Sequence, residues 1–177
     1  AKGAANGMPL GIVCGRADVM RHAIDDTVIS VTYGGEALSL AAGLACMTIY
    51  QNEPVFETIW ESGARLMAGF DALGEKHGVP LRCHGYEPMS SQTISYDDPA
   101  VSRDAWTLLL QEMAQRGVLL RRGGLLFVTY SHRDEEVEET LAALDESLAV
   151  IAEAAADGTI SKRLRVTEVK ESFRSFT

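Results

Sequence analysis

Cysteine is scarce and poorly spaced for metal or disulfide chemistry. The three residues, Cys14, Cys46 and Cys83, are odd in number and far apart, so no zinc pattern and no C-x-x-C exists. They read as reduced, mostly buried thiols of a cytoplasmic protein. The four histidines, His22, His77, His84 and His132, lack ligand spacing, and no metal site is expected. Positive charge is also short: 16 Lys and Arg stand against 25 Asp and Glu, a net charge of -9. That balance argues against nucleic-acid and anionic-membrane partners, which need clustered cations. It still allows a small anionic ligand held by a few local donors. Long apolar runs are missing too. The longest, residues 37–50, falls short of the ~20 residues that cross a bilayer. The opening Ala1-Lys2-Gly3-Ala4-Ala5-Asn6-Gly7 has no apolar h-region. Neither internal repeats nor low-complexity segments occur.

What is present is an ordinary globular composition, 46% hydrophobic and 23% charged over 177 residues. The character changes once along the chain. Up to about Tyr50 it is rich in glycine and turns; from Glu53 it is a regular α+β pattern. Domains are therefore expected at residues 1–52 and 53–177. Residues 2–9 read as loop, punctuated by Gly3, Asn6-Gly7 and Pro9. Residues 10–15 suggest a short buried strand, 17–23 a short helix, and 28–33 a β-branched strand. Glu36 then opens an Ala- and Gly-rich helix to about Tyr50.

After a break at residues 51–54, an amphipathic helix runs to His77, with Val55, Ile59, Leu66, Met67, Phe70 and Leu73 on one face. Gly78 ends it. Strands are expected at residues 81–83 and 90–96. Asp98-Pro99 reads as an N-cap followed by a first-turn proline, opening a helix that stops at Gly117. Residues 118–120 and 125–130 suggest strands joined across Arg121-Arg122-Gly123-Gly124. Ser131-His132-Arg133-Asp134 resembles a capping box with Asp in place of Glu. The last long helix carries a stripe of Val137, Leu141, Leu144, Leu148 and Ile151 and ends at Gly158.

Two features suggest chemistry. Lys2 lies on a Gly-rich loop, where glycines let backbone approach a bound ring and burial would lower the amine pKa. In Thr32-Tyr33-Gly34-Gly35-Glu36, a hydroxyl, two glycine amides and a helix N-terminus converge, a constellation suited to phosphate. Taken singly, each has a plainer reading: a solvated terminal lysine, and a strand-to-helix turn that needs two glycines.

Their order and spacing together resemble a family. Residues 1–10 followed by Gly15-Arg16 are similar to the cofactor-lysine region of class III pyridoxal-phosphate-dependent aminotransferases. Residues 32–43 look like the Thr, small-residue pair and Ala-rich helix that follow in that family. Gly117-Val118, Ser131-His132 and Phe173-Arg174 resemble its later landmarks. Of the branches, the glutamate-1-semialdehyde 2,1-aminomutase-like one looks closest.

The resemblance implies an α/β fold: the C-terminal portion of a fold-type I transferase, comprising the end of the large cofactor-binding domain and a small α+β domain. It implies pyridoxal 5'-phosphate as cofactor, with Lys2 forming the internal aldimine and then shuttling protons at the substrate carbon. Thr32 would bond the cofactor phosphate across a homodimer interface, assisted by the Tyr33 amide. The implied substrate is an amino acid, or an amino-aldehyde or keto acid. The family's acidic pyridine partner, stacking aromatic and main phosphate loop lie upstream of its lysine. An N-terminal portion of the same enzyme is thus an expected partner, and the chain alone is expected to be a poor, self-associating catalyst.

Weaker candidates are Arg121-Arg122, as a carboxylate fork or a solvated turn, and Glu36, as a substrate contact or a complement to the helix dipole. Two other functions stand against amino transfer. One is a non-catalytic α+β interaction or dimerisation module with an incidental Lys2. The other is a lysine-dependent aldolase or decarboxylase, which the phosphate anchor disfavours.

Overall fold

The computed structural model describes residues 2–28, 30–121 and 125–166. The chain divides into two units, Ala1–Val55 and Phe56–Thr177.

The first unit holds α1 (Ala17–Asp25) and α2 (Ala37–Asn52), preceded by a 3-10 turn at Gly3–Ala5. The strands expected at residues 10–15 and 28–33 are not formed among the described residues; Ile29 lies outside them. A strand exists only with a hydrogen-bonded mate, and these segments have none there. Val13 and Val28 are correspondingly 84% and 94% exposed. Cys14 is exposed as well, and Cys46 and Cys83 are half-buried, which corrects the expectation of buried thiols.

The second unit follows the sequence pattern closely. Helix α3 (Val55–His77) starts at the boundary between the units and buries Leu66 and Phe70, with Ile59 and Leu73 packed beside them. It ends where Gly78 takes φ 65°, and Val79 N donates to Gly74 O at 2.9 Å, a glycine-based helix stop. Strands β1 (Leu81–Tyr86) and β2 (Met89–Ile94) form an antiparallel hairpin, paired from Leu81↔Ile94 to Tyr86↔Met89 across a turn at Glu87-Pro88. On β2 the alternation is clear: Ser90, Gln92 and Ile94 point inward. The two buried polar side chains satisfy each other, with Gln92 Nε2 donating to Ser90 Oγ at 3.0 Å.

Helix α4 (Pro99–Gln115) is capped by the Asp98 carboxylate, which accepts from Ala100 N at 2.7 Å, with Pro99 in the first turn. Strand β3 (Leu125–Phe127) adds to β2, giving the antiparallel order β1-β2-β3. It is shorter than the expected 125–130. Thr129 N turns instead to His132 Nδ1 at 2.9 Å, and the chain leaves the sheet. Residues 118–120 form no strand, and the turn at 122–124 lies outside the described residues.

Helix α5 (Asp134–Ala156) begins two residues later than the Ser131 motif suggested, with Arg133 in place of Ser131 as N-cap. Its first-turn Glu136 carboxylate accepts from Arg133 N at 2.9 Å. The stripe of Val137, Leu144, Leu148 and Ile151 is fully buried. The core lies between one sheet face and the helices, with Phe70, Leu81, Ile94, Leu108, Leu109 and Met113 meeting that stripe. Tight approaches mark three glycines of α3: a Cβ at Gly69 would overlap the Leu141 side chain, one at Gly63 the Glu87 backbone, and one at Gly74 the Leu81 carbonyl.

Candidate functional site

Lys2 stands immediately before the Gly3–Ala5 turn and is exposed. The turn is fixed to α2. Tyr50 Oη donates to Gly3 O at 2.7 Å, Ala5 is fully buried, and Gly43 leaves room for Leu10 and the Ala4 carbonyl. The turn closes through Asn6 and Gly7 at φ 44° and 93°, with Gly7 N donating to Lys2 O at 3.2 Å. Asn and Gly are the residues that adopt this left-handed backbone at low cost. The Asn6-Gly7 pair thus holds the backbone of Lys2 on α2 while its side chain faces outward.

Thr32 and Tyr33 lie in the turn at residues 32–35, which leads into α2. Gly34 N donates to Val31 O and Glu36 N to Tyr33 O, both at 3.3 Å. Beside this turn is a cavity of about 770 Å³, within the range of small-ligand sites. Leu10, Ile12, Val31, Thr32, Tyr33 and Ser39 contribute to its walls. Lys2 is not among the lining residues, so within one chain Thr32 and Tyr33 share a cavity that Lys2 does not enter. The Thr32 hydroxyl and the amides of Thr32 and Tyr33 are without partners among the described residues.

The α2 N-terminus is arranged differently from the expectation. Two of its amides are already used: the Glu36 carboxylate accepts from Leu38 N at 2.8 Å and from Ser39 N at 2.7 Å. The nearby Ser39 hydroxyl and these amides hold the Glu36 carboxyl below its ordinary pKa, so it is charged at neutral pH. Ser39 is 1% exposed, and its hydroxyl meets no partner in good hydrogen-bond geometry. It acts on Glu36 by proximity. Ser39 and Leu10 were not singled out from the sequence. The available signal was the Glu36-to-Ser39 spacing, an N-cap and the third residue of the helix.

The second unit has its own cavity of about 360 Å³, to which Gln92, Arg121, His132 and Thr140 contribute polar groups. Arg121 therefore lines a cavity, while Arg122 lies outside the described residues. Among the described residues no His, Cys, Asp and Glu cluster could hold a metal, and no helix is long and apolar enough to cross a membrane.

Residues 1–148 match the family described as aminotransferase class-III. The chain belongs to the class-III aminotransferases. Among solved structures, this class-III chain is similar to the FumI protein of Sphingopyxis sp. MTA144 in its PLP internal aldimine form. The two share 27% identity and a TM-score of 0.67 over 77% of this chain and 32% of that one. A transaminase with PLP bound matches at TM-score 0.69 and 21% identity, over 88% of this chain and 38% of its own. An omega-transaminase from Sphaerobacter thermophilus matches at 0.62 and 20%, over 78% and 34%. At these identities the last two speak for the fold alone. The class-III chain spans about a third of the length of the structures it matches.

Proposed function

We propose that this chain is the part of a pyridoxal-phosphate-dependent amino-transferring enzyme that supplies the cofactor lysine, Lys2, and one phosphate-binding turn. The family match over residues 1–148 is the observation that carries this reading. The chemistry of the exposed donors agrees with it. The Thr32 hydroxyl and the Thr32 and Tyr33 amides, on the wall of a ligand-sized cavity, fit a phosphate monoester. When bound, pyridoxal phosphate supplies an electron sink for the charge left on the substrate carbon.

The roles of the chain's own residues follow. Lys2 Nζ holds the cofactor and then moves the proton at the substrate carbon as general acid and base. Thr32 Oγ1 donates to the phosphate, and the Tyr33 amide assists. In this reading the enzyme is a homodimer in which each Thr32 serves the neighbour's site. Exposed Leu38, Leu40 and Leu44 on α2 offer apolar surface for the remainder of a larger enzyme and a dimer mate to cover. The substrates are an amino acid and a keto acid or amino-aldehyde. The overall resemblance of the sequence favours the 2,1-aminomutase-like branch, a cytoplasmic activity.

Lys2→Ala in the full-length enzyme tests the reading. Turnover should fall by orders of magnitude, because both the cofactor's attachment and the proton carrier are removed. Turnover near that of the wild type would exclude the assigned role. Assaying glutamate 1-semialdehyde against amino donor and keto acid pairs separates amino migration from transamination.

A further inference from the structure

A helix N-terminus beside a phosphate-binding turn is an obvious seat for the anion. Its first N–H groups lack intrahelical acceptors and form the positive end of the dipole. In α2 two of those groups, Leu38 N and Ser39 N, are taken from within. The Glu36 carboxylate accepts from Leu38 N and Ser39 N at 2.8 and 2.7 Å. The backbone of the same residue faces both ways: Glu36 N donates to Tyr33 O at 3.3 Å, and Glu36 O accepts from Leu40 N at 3.2 Å. One residue thus joins the turn at 32–35 to the first turn of the helix.

We propose that Glu36 is a positioning residue: its carboxylate closes the α2 N-terminus to phosphate and fixes the adjoining turn. The phosphate donors are then in the turn, among them the Thr32 hydroxyl and the Thr32 and Tyr33 amides. This rests on the reading of that turn as a holder of the cofactor phosphate.

Two arguments separate this from a carboxylate that merely waits to be displaced. A phosphate on the same amides would have to break two short, charge-assisted bonds. If the carboxylate stayed, the two anions would repel across a short distance. Ser39, fully buried behind the cap, packs the helix side of the arrangement. Glu36 is also one of the residues around the cavity, while its two carboxylate oxygens are engaged by Leu38 N and Ser39 N. What holds the phosphate is the orientation of the turn, and Glu36 sets that orientation.

The test uses the full-length enzyme and four forms: wild type, Glu36→Ala, Glu36→Asp and Thr32→Ala. Two quantities are measured, the Kd for pyridoxal phosphate and hydrogen exchange of peptides covering residues 36–44. Glu36→Ala should weaken cofactor binding about fivefold, the equilibrium equivalent of one lost helix cap. It should also speed exchange in the first turn of α2. Glu36→Asp keeps a capping carboxylate and should restore both to within about twofold of wild type. Unchanged exchange in Glu36→Ala, or cofactor binding that is unchanged or tighter, overturns the proposal. Thr32→Ala distinguishes the two levels: if it leaves the cofactor Kd unchanged, the phosphate reading itself falls, whatever Glu36 does.

Discussion

Gly63→Ala sets two opposed effects against each other inside α3. Alanine raises helix propensity by about 1 kcal/mol relative to glycine. Its Cβ, however, would stand 2.1 Å from the Glu87 carbonyl oxygen and 2.4 Å from the carbonyl carbon. Both are backbone atoms of the β1–β2 turn, so no side-chain rotation relieves the overlap. Helix and hairpin must separate, and their separation loosens the packing behind them. Overpacking of this kind costs about 1–3 kcal/mol, and contact with backbone puts it at the upper end. The clash wins, for a net loss of about 2 kcal/mol. Trp60 and Trp106 both belong to the second unit, so urea unfolding followed by fluorescence reports on it directly. With a slope of about 1–3 kcal/mol per molar urea, the midpoint should fall by about 1 M. Ala64→Gly, at the exposed neighbouring position, isolates the propensity effect and should cost about 1 kcal/mol. A Gly63→Ala chain as stable as wild type would refute the argument that the hairpin turn is pressed against α3.

The remaining predictions concern the thiols and an ion cluster. Burial, then the Asp71 carboxylate, pushes the Cys83 thiol up to about 12; at pH 8 it has almost no thiolate. Alkylation followed by peptide mapping should modify exposed Cys14 well before Cys83, and equal rates would contradict the burial of Cys83. Asp145 accepts from Lys76 Nζ at 2.7 Å and lies 2.5 Å from His77 Nε2, contacts that join α5 to the end of α3. Lys76, then His77, hold its carboxyl below the ordinary range. A depressed carboxyl pKa stabilises the fold above the unfolded value of about 3.9 and loses that contribution as pH falls through the folded value. Asp145→Asn should therefore lower stability at neutral pH and flatten the acid limb of the stability curve; an unchanged acid limb would show that the cluster contributes nothing.

Much of the second unit was legible because its signals are local. Helices α3, α4 and α5 satisfy their own backbone and carry their buried stripes at 3.6-residue spacing; Val137, Leu144, Leu148 and Ile151 are buried as a set. The β1–β2 hairpin is a pairing of sequence neighbours, though the inward turn of polar Ser90 and Gln92 was not legible. Residues 10–15, 28–33 and 118–120 have the composition of strands but no mates among the described residues, and composition cannot supply a mate. The start of α5 moved because His132 accepts the Thr129 amide and is used in a turn before the helix begins. At the candidate site, the turn at Thr32 and the helix after it were legible as elements. The use of the α2 amides was not. Glu36 next to a helix start reads equally as a dipole complement or as a substrate contact, and only the distances to Leu38 N and Ser39 N decide for the cap.

The central claim is that Lys2 carries the cofactor. The most direct measurement is borohydride reduction of the full-length enzyme loaded with pyridoxal phosphate, followed by proteolysis and mass spectrometry. The account predicts a phosphopyridoxyl mass on the peptide containing Lys2 and its disappearance in Lys2→Ala. The label on any other lysine, with Lys2 unmodified, would contradict it.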